Sequence, residues 1–347
     1  MKIRPTDLDA SEIAAQLSLK PFQGRQVFHW IHKKRVFDFQ QMTDLSKELR
    51  GRLAAACEMP LLAMENRVQS IQAPGTWKAL FRLQDGNAVE SVVIRDADRV
   101  TFCLSTQVGC AIRCAFCATG RAGFSRNLSA GEIVEQALHL IAAEDLGSHS
   151  PNIVYMGMGE PFRNYEAVVR SIRLLSSIEG LHVGARRITV STAGDVEGIR
   201  RFAREGWQVR LSISLHAASD ELRSELVPLN HKYPLGPLMQ AVKDYVAETN
   251  RQVTFEWILL DGVNDAPEQA LALVRLIRSV KCTVNLILYN RVPGAPFRAP
   301  SMRKCLGFQA ILAQEGIPCT LRKERGTDID AACGQLAFTK RPASTGR

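Results

Sequence analysis

Three closely spaced cysteines are the residues of this sequence best suited to chemistry. They are Cys110, Cys114 and Cys117, in the spacing Cys-x3-Cys-x2-Cys, and Phe116 stands directly before the third. Three thiolates on one short loop match three irons of a 4Fe-4S cluster, whereas a closed cluster requires a fourth protein ligand. We therefore expect the fourth iron to stay open, so that it binds a substrate and passes it an electron.

A zinc knuckle and three unrelated core cysteines are the alternatives. Zinc sites usually close with a fourth Cys or His nearby. Here the next cysteine is Cys282, and the nearest downstream histidine, His139, falls in a helical pattern. The ligand count therefore favours the iron–sulfur cluster. An open iron held by three cysteines is the pattern with which radical S-adenosylmethionine (SAM) enzymes split SAM into methionine and a 5'-deoxyadenosyl radical.

Length and composition frame this chemistry. The chain has 347 residues, of which 46% are hydrophobic and 23% charged, values that are ordinary for a soluble protein with one large α/β domain and a small appendage. No apolar run reaches the length of a membrane span, and the first residues lack an apolar signal core. We expect a cytoplasmic protein without a membrane partner, whose nine cysteines serve as ligands and in chemistry rather than in disulfides.

The net charge of +9 is concentrated at the two ends of the chain. Residues 1–52 carry ten Lys and Arg against six Asp and Glu, and residues 291–347 carry ten against four. A basic surface attracts polyanions. Many cytoplasmic proteins are mildly basic, however, so charge alone leaves nucleic acid binding open.

The first 60 residues read as a helical accessory domain that binds RNA. Its predicted helices are Ala10–Leu17, Gly24–Lys33 and Ser46–Ala56. Lys33, Lys34 and Arg35 end the middle helix and are candidates for phosphate contacts. Residues 61–95 follow as a hairpin extension, with strands Lys78–Leu83 and Val89–Ile94 around an Asp85-Gly86-Asn87 turn.

Residues 96–326 alternate strand-like and helix-like runs. The strand-like runs are Val100–Leu104, Asn152–Met156, Arg187–Ser191, Val209–Ser214, Val253–Leu259, Val284–Leu288 and Cys319–Leu321. Capping boxes, Ser129 with Glu132 and Asp265 with Glu268, are predicted to open two of the helices. Repeated βα units imply a parallel sheet covered by helices. About six units are too few for a closed barrel, so we expect an α/β fold built as an incomplete (βα)6 barrel.

Polar residues stand at several successive strand ends. The candidates for cofactor contacts are Gly159, Glu160, Ser191, Ser214, Leu215, His216 and Asn290. Ligands of such folds bind at the carboxyl ends of the strands, and this edge also receives the cysteine loop. An ordinary glycine-rich turn explains Gly159 by itself. The set as a whole suits a polar cofactor such as SAM.

Further motifs carry a resemblance that covers nearly the whole chain. They include Val89-Glu90-Ser91-Val92, Gly123-Phe124-Ser125-Arg126-Asn127-Leu128, Met156-Gly157-Met158-Gly159-Glu160-Pro161, Ile213-Ser214-Leu215-His216-Ala217 and Arg325-Gly326-Thr327-Asp328-Ile329-Asp330-Ala331-Ala332-Cys333-Gly334. With them the chain resembles the RlmN/Cfr family of radical SAM rRNA adenosine methyltransferases. The resemblance implies methylation of an adenine ring carbon in 23S rRNA and, in the carbon-2 branch, in tRNA beside the anticodon. It also implies a flavodoxin-like electron donor, and we expect a monomer.

The resemblance assigns roles to three further residues. Cys333, in the predicted C-terminal segment 327–347, corresponds to the cysteine that takes a methyl group from one SAM and carries it to adenine. Glu90 aligns with a carboxylate that accepts the ring proton. Cys103 matches the cysteine that attacks the sulfur and releases the product as a disulfide forms. A buried small hydrophobe is the plainer interpretation of Cys103, and an exposed strand glutamate that of Glu90.

Some positions depart from the family pattern, among them Arg291-Val292 before Pro293-Gly294 and Ala193 where serine is common. They leave open whether the target is carbon 2, as in RlmN enzymes, carbon 8, as in Cfr resistance enzymes, or another RNA atom. Two other classes are possible alternatives: a radical SAM enzyme for a peptide or metabolite, and a non-catalytic iron–sulfur RNA-binding protein. The basic, aromatic N-terminal segment and Cys333 argue against the first. Cys103, Cys333 and the three cluster cysteines argue against the second.

Overall fold

Three short helices open the chain. The computed structural model describes residues 2–97, 99–144, 146, 150–322 and 325–336. The helices are α1 (Ala10–Gln16), α2 (Pro21–His32) and α3 (Lys47–Ala56). Asp9 and Glu12 form a capping box at the start of α1, and the Ser46 hydroxyl caps α3. The predicted helices are confirmed, and the largest shift is the start of α2 at Pro21, where proline suits the first helical position.

An antiparallel hairpin with a third strand follows. Its strands are β1 (Leu62–Gln69), β2 (Trp77–Leu83) and β3 (Ala88–Asp96). Gly86 has φ +81° in the predicted turn, and the Asp85 carboxylate accepts a hydrogen bond from the Asn87 amide at 2.9 Å. The sequence did not predict β1, because its exposed side chains lack the alternation of a half-buried strand.

The hairpin strands belong to the same sheet as the core strands. The remaining strands are β4 (Arg99–Cys103), β5 (Gln107–Gly109), β6 (Phe124–Asn127), β7 (Asn152–Tyr155), β8 (Ile188–Thr192), β9 (Arg210–Ser214), β10 (Val253–Leu259), β11 (Cys282–Leu288) and β12 (Cys319–Leu321). The ten-stranded sheet runs β1-β2-β3-β4-β7-β8-β9-β10-β11-β12, and all pairs from β4 to β12 are parallel. β5 and β6 pair separately. This is the open barrel that the repeated βα units predicted.

Helices cover the outside of the parallel strands. They are α4 (Ala118–Ala122), α5 (Ala130–Ala143), α6 (Tyr165–Ser176), α7 (Val196–Ala203), α8 (Asp220–Leu226), α9 (Leu235–Thr249), α10 (Pro267–Ile277) and α11 (Met302–Gln314). The capping box of Ser129 and Glu132 is confirmed. The one predicted for Asp265 is wrong: Ala266 precedes the helix without a side-chain cap, and the Asp265 carboxylate accepts from the Gly262 amide instead. None of the helices in the described ranges is long and apolar enough to cross a membrane.

The two faces of the parallel sheet differ in chemistry. Residues that lie opposite each other on neighbouring strands share a face. One such row, Tyr155, Val190 and Leu211, is almost completely buried and apolar. A row on the other face consists of Ser214, Glu256 and Asn285. The apolar face packs against the helices, and the polar face lines the inside of the open barrel and leads to its carboxyl-terminal edge.

The N-terminal helices are fastened to the core at α5. The buried carboxylate of Glu135 accepts hydrogen bonds from the Thr6 hydroxyl (2.9 Å) and from the amides of Leu61 (2.7 Å) and Leu62 (3.2 Å). Burial raises the pKa of Glu135 to about 8, although these donors oppose the shift. One side chain of the core therefore holds both the accessory region and the start of β1. The boundaries predicted for the four segments stay predictions.

Candidate active site

The cysteine loop runs from the end of β5 to the start of α4. Gly109 precedes it with φ +77°, and a Cβ there would lie 1.9 Å from the Gly123 carbonyl oxygen. That carbonyl accepts a hydrogen bond from the Cys110 amide at 2.8 Å. The Cys117 amide donates to the Cys114 carbonyl at 3.1 Å. The local backbone therefore folds the three cysteines into one compact turn, for which Gly109 is required.

Burial makes two thiols of this loop, those of Cys110 and Cys114, hard to ionise. It raises the pKa of Cys110 to about 12, against the amides of Ile112 and Arg113, which donate to the sulfur. It raises the pKa of Cys114 well above its ordinary value, and the neighbouring thiols of Cys117 and Cys110 add to the rise. The three sulfurs are thus close enough to repel one another as thiolates. A cation between them offsets that repulsion, since metal binding releases the thiol protons.

The arrangement differs from that of a single-ion site. A zinc ion holds its sulfur ligands about 2.3 Å away. Within the described ranges, no three His, Cys, Asp or Glu side chains are grouped tightly enough to share one metal ion. The ligand count therefore still disfavours a zinc knuckle, since the next cysteine of the sequence is Cys282.

A glycine-rich loop, residues 157–160, packs against the segment that leads from β4 to the cysteine loop. A Cβ on Gly157 would lie 2.7 Å from a carbonyl oxygen of that segment. Gly159 has φ +107°, and a Cβ there would lie 2.6 Å from the Gln107 side chain. Both close approaches require glycine, and they let the loop backbone pack directly against the segment that leads to the cysteine loop.

The Glu160 carboxylate joins this loop to the end of β8. It accepts hydrogen bonds from the Ala193 amide at 2.7 Å and the Phe162 amide at 3.1 Å. Burial raises its pKa to about 7, although both amides and the Thr192 hydroxyl favour the charged form. Much of the hydrogen-bonding capacity of Glu160 is therefore used within the protein, which the sequence did not indicate.

The predicted residues of β8 and β9 lie at the same edge. Ser191 and Ser214 are on the polar face of the sheet, and the buried Leu215 and His216 follow directly. His216 has φ +61°, and its Nδ1 accepts a hydrogen bond from the Ile258 amide at 3.0 Å. Burial lowers the pKa of His216 to about 3, and so the ring is neutral at physiological pH.

Two contacts place the cysteine loop, one against the residues after β9 and one against the end of α8. The ring of Phe116 meets that of His216 edge to face, with centroids 4.8 Å apart. The Ala115 amide donates to the Leu226 carbonyl at 3.0 Å. The aromatic residue before the third cysteine is thus a packing element that positions the loop beside the predicted cofactor residues.

Asn290 joins the end of β11 to the segment that carries Cys333. Its side-chain amide donates to the Cys333 carbonyl at 3.3 Å, while its buried Oδ1 has no hydrogen-bond partner among the described residues. On the other side of Cys333, the Gly334 carbonyl accepts from the Ala118 amide at 2.7 Å. Cys333 itself is exposed. It lies between the contact with Asn290, just after β11, and the contact with Ala118, the residue that follows Cys117.

Cys103 lies near Cys333, although the two are far apart in sequence. It ends β4 and is buried, and burial raises its pKa to about 12. The Cys333 thiol adds to this shift, and the Arg322 guanidinium opposes it. The same two thiols and Glu256 raise the pKa of Arg322. The structure thus brings both predicted cysteines around one cation.

Glu90 faces the same side of the sheet as Cys103. Val92, two residues further along β3, pairs with Cys103, so Glu90, Val92 and Cys103 share a face. The Glu90 carboxylate forms an ion pair with the Lys78 ammonium at 3.0 Å. It is 8% exposed rather than the exposed strand residue that was its plainer interpretation.

Comparisons of the sequence with known proteins found two family models that match this chain. Residues 104–274 match the Radical SAM superfamily, and residues 7–59 match the ribosomal RNA large subunit methyltransferase N-terminal domain. A dual-specificity RNA methyltransferase RlmN of Syntrophobacter fumaroxidans is 46% identical over 91% of this chain and 92% of its own length. A probable enzyme of the same name from Protochlamydia amoebophila is 44% identical over 94% of this chain and 91% of its own.

The chain belongs to the RlmN family.

A solved structure supports the fold of this RlmN-family chain. The crystal structure of a radical SAM methyltransferase from Sphaerobacter thermophilus has a TM-score of 0.93 and 48% identity, and it covers 96% of this chain and 99% of that one. The predictions of family, of an incomplete α/β barrel, of a radical SAM RNA methyltransferase and of its two cofactors, a 4Fe-4S cluster and SAM, are confirmed.

The residues present fit both cofactors of the RlmN family. Cys110, Cys114 and Cys117 supply three thiols at one point of the carboxyl edge. A Cβ on Gly157 or Gly159 would collide with Leu104 or Gln107, so the glycine-rich loop packs directly against the segment that leads to these thiols. Further along the edge, the orphaned Oδ1 of Asn290 needs a donor that a polar ligand such as SAM supplies. The individual residue roles remain proposals.

Sequence reasoning missed one residue that shapes this site. Arg223 of α8 is fully buried and donates hydrogen bonds to the carbonyls of Ala193 (2.6 Å), Leu215 (3.1 Å) and Ser214 (3.3 Å). Burial lowers its pKa to about 10, against the nearby Cys114 thiol. One guanidinium therefore sets the ends of β8 and β9. The only indication of this role in the sequence is that Arg223 lies in the helix that follows the Ser214-Leu215-His216 motif.

Asp328 was also missed, as an anchor of the Cys333 segment. Its carboxylate accepts from the Ser70 hydroxyl at 2.7 Å and from the amides of Ile71 (2.8 Å) and Gln72 (3.2 Å). These donors lower the pKa of Asp328. The contact joins the β1–β2 connection to the segment before Cys333. The motif Arg-Gly-Thr-Asp in the sequence marked the segment but not its partner.

Proposed function

We propose that this chain methylates carbon 2 of adenosine in 23S rRNA and in tRNA, with Cys333 as the methyl carrier. The observation that carries the proposal is that Cys333 lies near enough to Cys103 to raise the pKa of its thiol, while backbone contacts join the Cys333 segment to Asn290 and the cysteine loop. A methyltransferase that displaces the SAM methyl group directly has no use for two such cysteines. Carbon 2 of adenine is not a nucleophile, and so its methylation needs a carrier and a radical route.

SAM bound at the cluster supplies a methyl group in one use and a hydrogen-abstracting radical in another. The residues of the chain do the rest. The exposed Cys333 sulfur takes the methyl group, and the carbon radical that remains after hydrogen abstraction from this group bonds to carbon 2 of adenine. The adduct then gives up one electron, which the cluster would take back. The Glu90 carboxylate accepts the proton that leaves carbon 2. The Cys103 thiolate then attacks the Cys333 sulfur: the S–S bond forms, the carbon–sulfur bond breaks, and the electron pair and a proton complete the new methyl group.

The substrate proposal draws on the relatives and on charge. The relatives carry dual specificity for RNA in their names. The N-terminal region matches an rRNA methyltransferase domain and contributes Lys33, Lys34 and Arg35 at the end of α2. We place the enzyme in the cytoplasm with its RNA substrates, as a monomer that receives electrons from a flavodoxin-like donor.

Anaerobically reconstituted protein tests the proposal with SAM, dithionite and either 23S rRNA fragments or tRNA. Mass spectrometry of the digested RNA should find methyladenosine with the new carbon at position 2, from both substrates. Methylation at carbon 8 would contradict the regiochemistry. RNA binding without modification would identify the non-catalytic alternative, and product from rRNA alone would contradict the dual substrate range.

The roles of the two cysteines are tested by the different defects expected in their alanine variants. Cys103→Ala should copurify with covalently attached RNA, because the carbon–sulfur bridge forms and cannot be resolved. Cys333→Ala and the double variant should carry no RNA, because they lack the carrier. Cys103→Ala protein that carries no covalently attached RNA under turnover conditions would refute these two roles. Two structural cysteines would give lower stability in both variants and a crosslink in neither.

A further inference from the structure

Lys78 of β2 makes two polar contacts that join separate parts of the site. Its ammonium lies 3.0 Å from Oε1 of Glu90, and it donates to the Asp330 carbonyl at 3.1 Å. The side chains of Lys78 and Glu90 are only 14% and 10% exposed, so this pair is shielded from water and salt. A shielded ammonium with two fixed partners is a positioning device rather than a solvated surface charge.

Strand register explains how Lys78 reaches the site. Lys78 pairs with Val92 across β2 and β3, and Val92 pairs with Cys103 across β3 and β4. These three residues therefore form one row on one face of the sheet, and Glu90 lies on the same face two residues before Val92. The hairpin extension thus supplies a cation to the face that carries both Glu90 and Cys103.

The backbone of Glu90 is fixed from the other direction. Its carbonyl accepts a hydrogen bond from the Ser105 hydroxyl at 2.5 Å, and its amide donates to the Met158 sulfur at 3.4 Å. Met158 lies between the two glycines of the 157–160 loop. The backbone of Glu90 is therefore fastened to the proposed SAM loop, whereas its carboxylate is held by Lys78.

Asp330 gives the second contact its significance. It has φ +51° and begins the short loop to Cys333, three residues later. Three residues span at most about 10 Å, so a shift at Asp330 is passed to Cys333. Lys78 thus closes a chain of contacts from the SAM loop through Glu90 to the segment that carries Cys333.

We propose that Lys78 is a positioning residue that holds the Glu90 carboxylate in register with the Cys333 loop, so that the proton acceptor and the methyl carrier meet the same adenine carbon. The inference rests on the proposed function. Lys78 makes and breaks no bond of the substrate. Its fixed contacts determine where the carboxylate stands when the ring proton leaves, and misplacement of a reacting group by about 1 Å costs on the order of a hundredfold in rate.

The test compares Lys78→Met and Lys78→Arg with Lys281→Met as the matched control. Lys281 also donates to a backbone carbonyl, that of Asn250, but at the opposite end of the barrel. Each variant receives RNA with hydrogen or deuterium at adenine carbon 2. Two quantities are measured: methylation of Cys333, by mass spectrometry of its peptide, and the deuterium isotope effect on formation of methylated RNA.

Lys78→Met should methylate Cys333 as the unchanged protein does, yet form product roughly tenfold to a hundredfold more slowly. Its isotope effect should rise, because proton removal becomes limiting. Lys78→Arg should recover most of the rate. Adding Lys78→Met to Glu90→Gln should cause no further loss in product formation, since Lys78 acts through the Glu90 carboxylate.

Equal rates and isotope effects in Lys78→Met and Lys281→Met would overturn the inference. So would a loss of Cys333 methylation in Lys78→Met with an unchanged isotope effect, because Lys78 would then only fold the loop. A failure of the proposed function looks different: the unchanged protein itself forms no methyl-Cys333 or no methylated adenine, and the inference then falls with it.

Discussion

The two halves of the site are built in different ways. The cofactor side consists of the cysteine loop and the ends of β7 to β11, and each of its parts is a short motif folded by local contacts, such as the Cys110 amide with the Gly123 carbonyl. The carrier side consists of Glu90, Cys103 and residues 327–333. Its contacts join distant segments, as between Ser70 and Asp328 or Lys78 and Asp330.

This difference predicts that the carrier side can fail while the cofactor side still works. The cofactor side is supported by buried strands and by the fully buried Arg223. The carrier side is held by a few polar contacts near the surface, each of which contributes little by itself because water competes for the same groups. Loss of a carrier contact should therefore leave SAM cleavage intact while uncoupling it from RNA methylation. Damage to the cofactor side should abolish both.

The largest effect is expected from Cys114→Ala. A cluster held by two cysteines instead of three should be lost, and with it the brown colour, bound iron and SAM cleavage. The measurement is iron content with the visible spectrum after anaerobic reconstitution. Cys282→Ala, which truncates a buried cysteine of β11, is the control and should keep its iron. Full iron in Cys114→Ala, or stoichiometric zinc without iron in the unchanged protein, would contradict the assignment.

Much of the cofactor side was predictable from the sequence, and the comparison explains why. A cluster loop needs its ligands at fixed short spacing, and a backbone that approaches a ligand needs glycine at fixed positions such as Gly159. Strand ends converge on one edge whenever the strands are parallel. These features depend on local geometry, and so the spacing of residues in the sequence is enough to predict them without a structure.

Gly159→Ala tests the cofactor side without removing a ligand. A side chain there must adopt φ +107° with its Cβ 2.6 Å from Gln107, so the loop has to move. Such strain costs about 1–3 kcal/mol, and SAM affinity should fall roughly tenfold to a hundredfold while iron is retained. Calorimetry with SAM measures it. Gly184→Ala, at an open position with φ −60°, is the control. Unchanged affinity would show that this loop does not contact SAM.

Asp328→Ala tests the carrier side. The change removes three hydrogen bonds from the segment before Cys333, so RNA product per SAM cleaved should fall roughly threefold to tenfold with cluster and SAM affinity unchanged. The ratio of methylated RNA to 5'-deoxyadenosine measures it. Equal losses of SAM cleavage and product would mean that the two sides are one rigid unit.

The pH dependence of this anchor has a definite sign. The Ser70 hydroxyl and the amides of Gln72 and Ile71 lower the pKa of Asp328 in the folded chain below its ordinary value of 3.8. Its contribution is therefore present above that value and is lost as the pH falls through the lowered one. Between pH 6 and 8 the uncoupling caused by Asp328→Ala should accordingly be constant.

The carrier side was less predictable because its contacts depend on packing between distant segments. The resemblance gave Glu90, Cys103 and Cys333, but spacing alone did not indicate that Arg322 lies beside both thiols or that Lys78 reaches Asp330. Such partners follow from the register of β2 on β3, and register follows from the buried Trp77, Ala79 and Phe81 of β2. β1 gave no such signal, because its side chains are mostly exposed.

The smallest effect is expected outside both sides, at Lys33. This exposed residue follows α2 next to Lys34, whose ammonium lies 3.3 Å from the centroid of the Trp30 ring. If Lys33 meets a phosphate, Lys33→Gln should weaken RNA binding twofold to threefold and reduce the slope of log affinity against log salt by about 0.7 to 0.9. Filter binding over a salt series measures both.

Methylation of Cys333 and cleavage of SAM should not change in Lys33→Gln, because neither step needs RNA held at the accessory domain. Lys281→Gln, a lysine at the far end of the barrel, should leave the slope as it is. An unchanged slope in Lys33→Gln would move the phosphate contacts away from α2, whereas an altered ratio of product to SAM cleaved would show that the accessory domain also positions the carrier side.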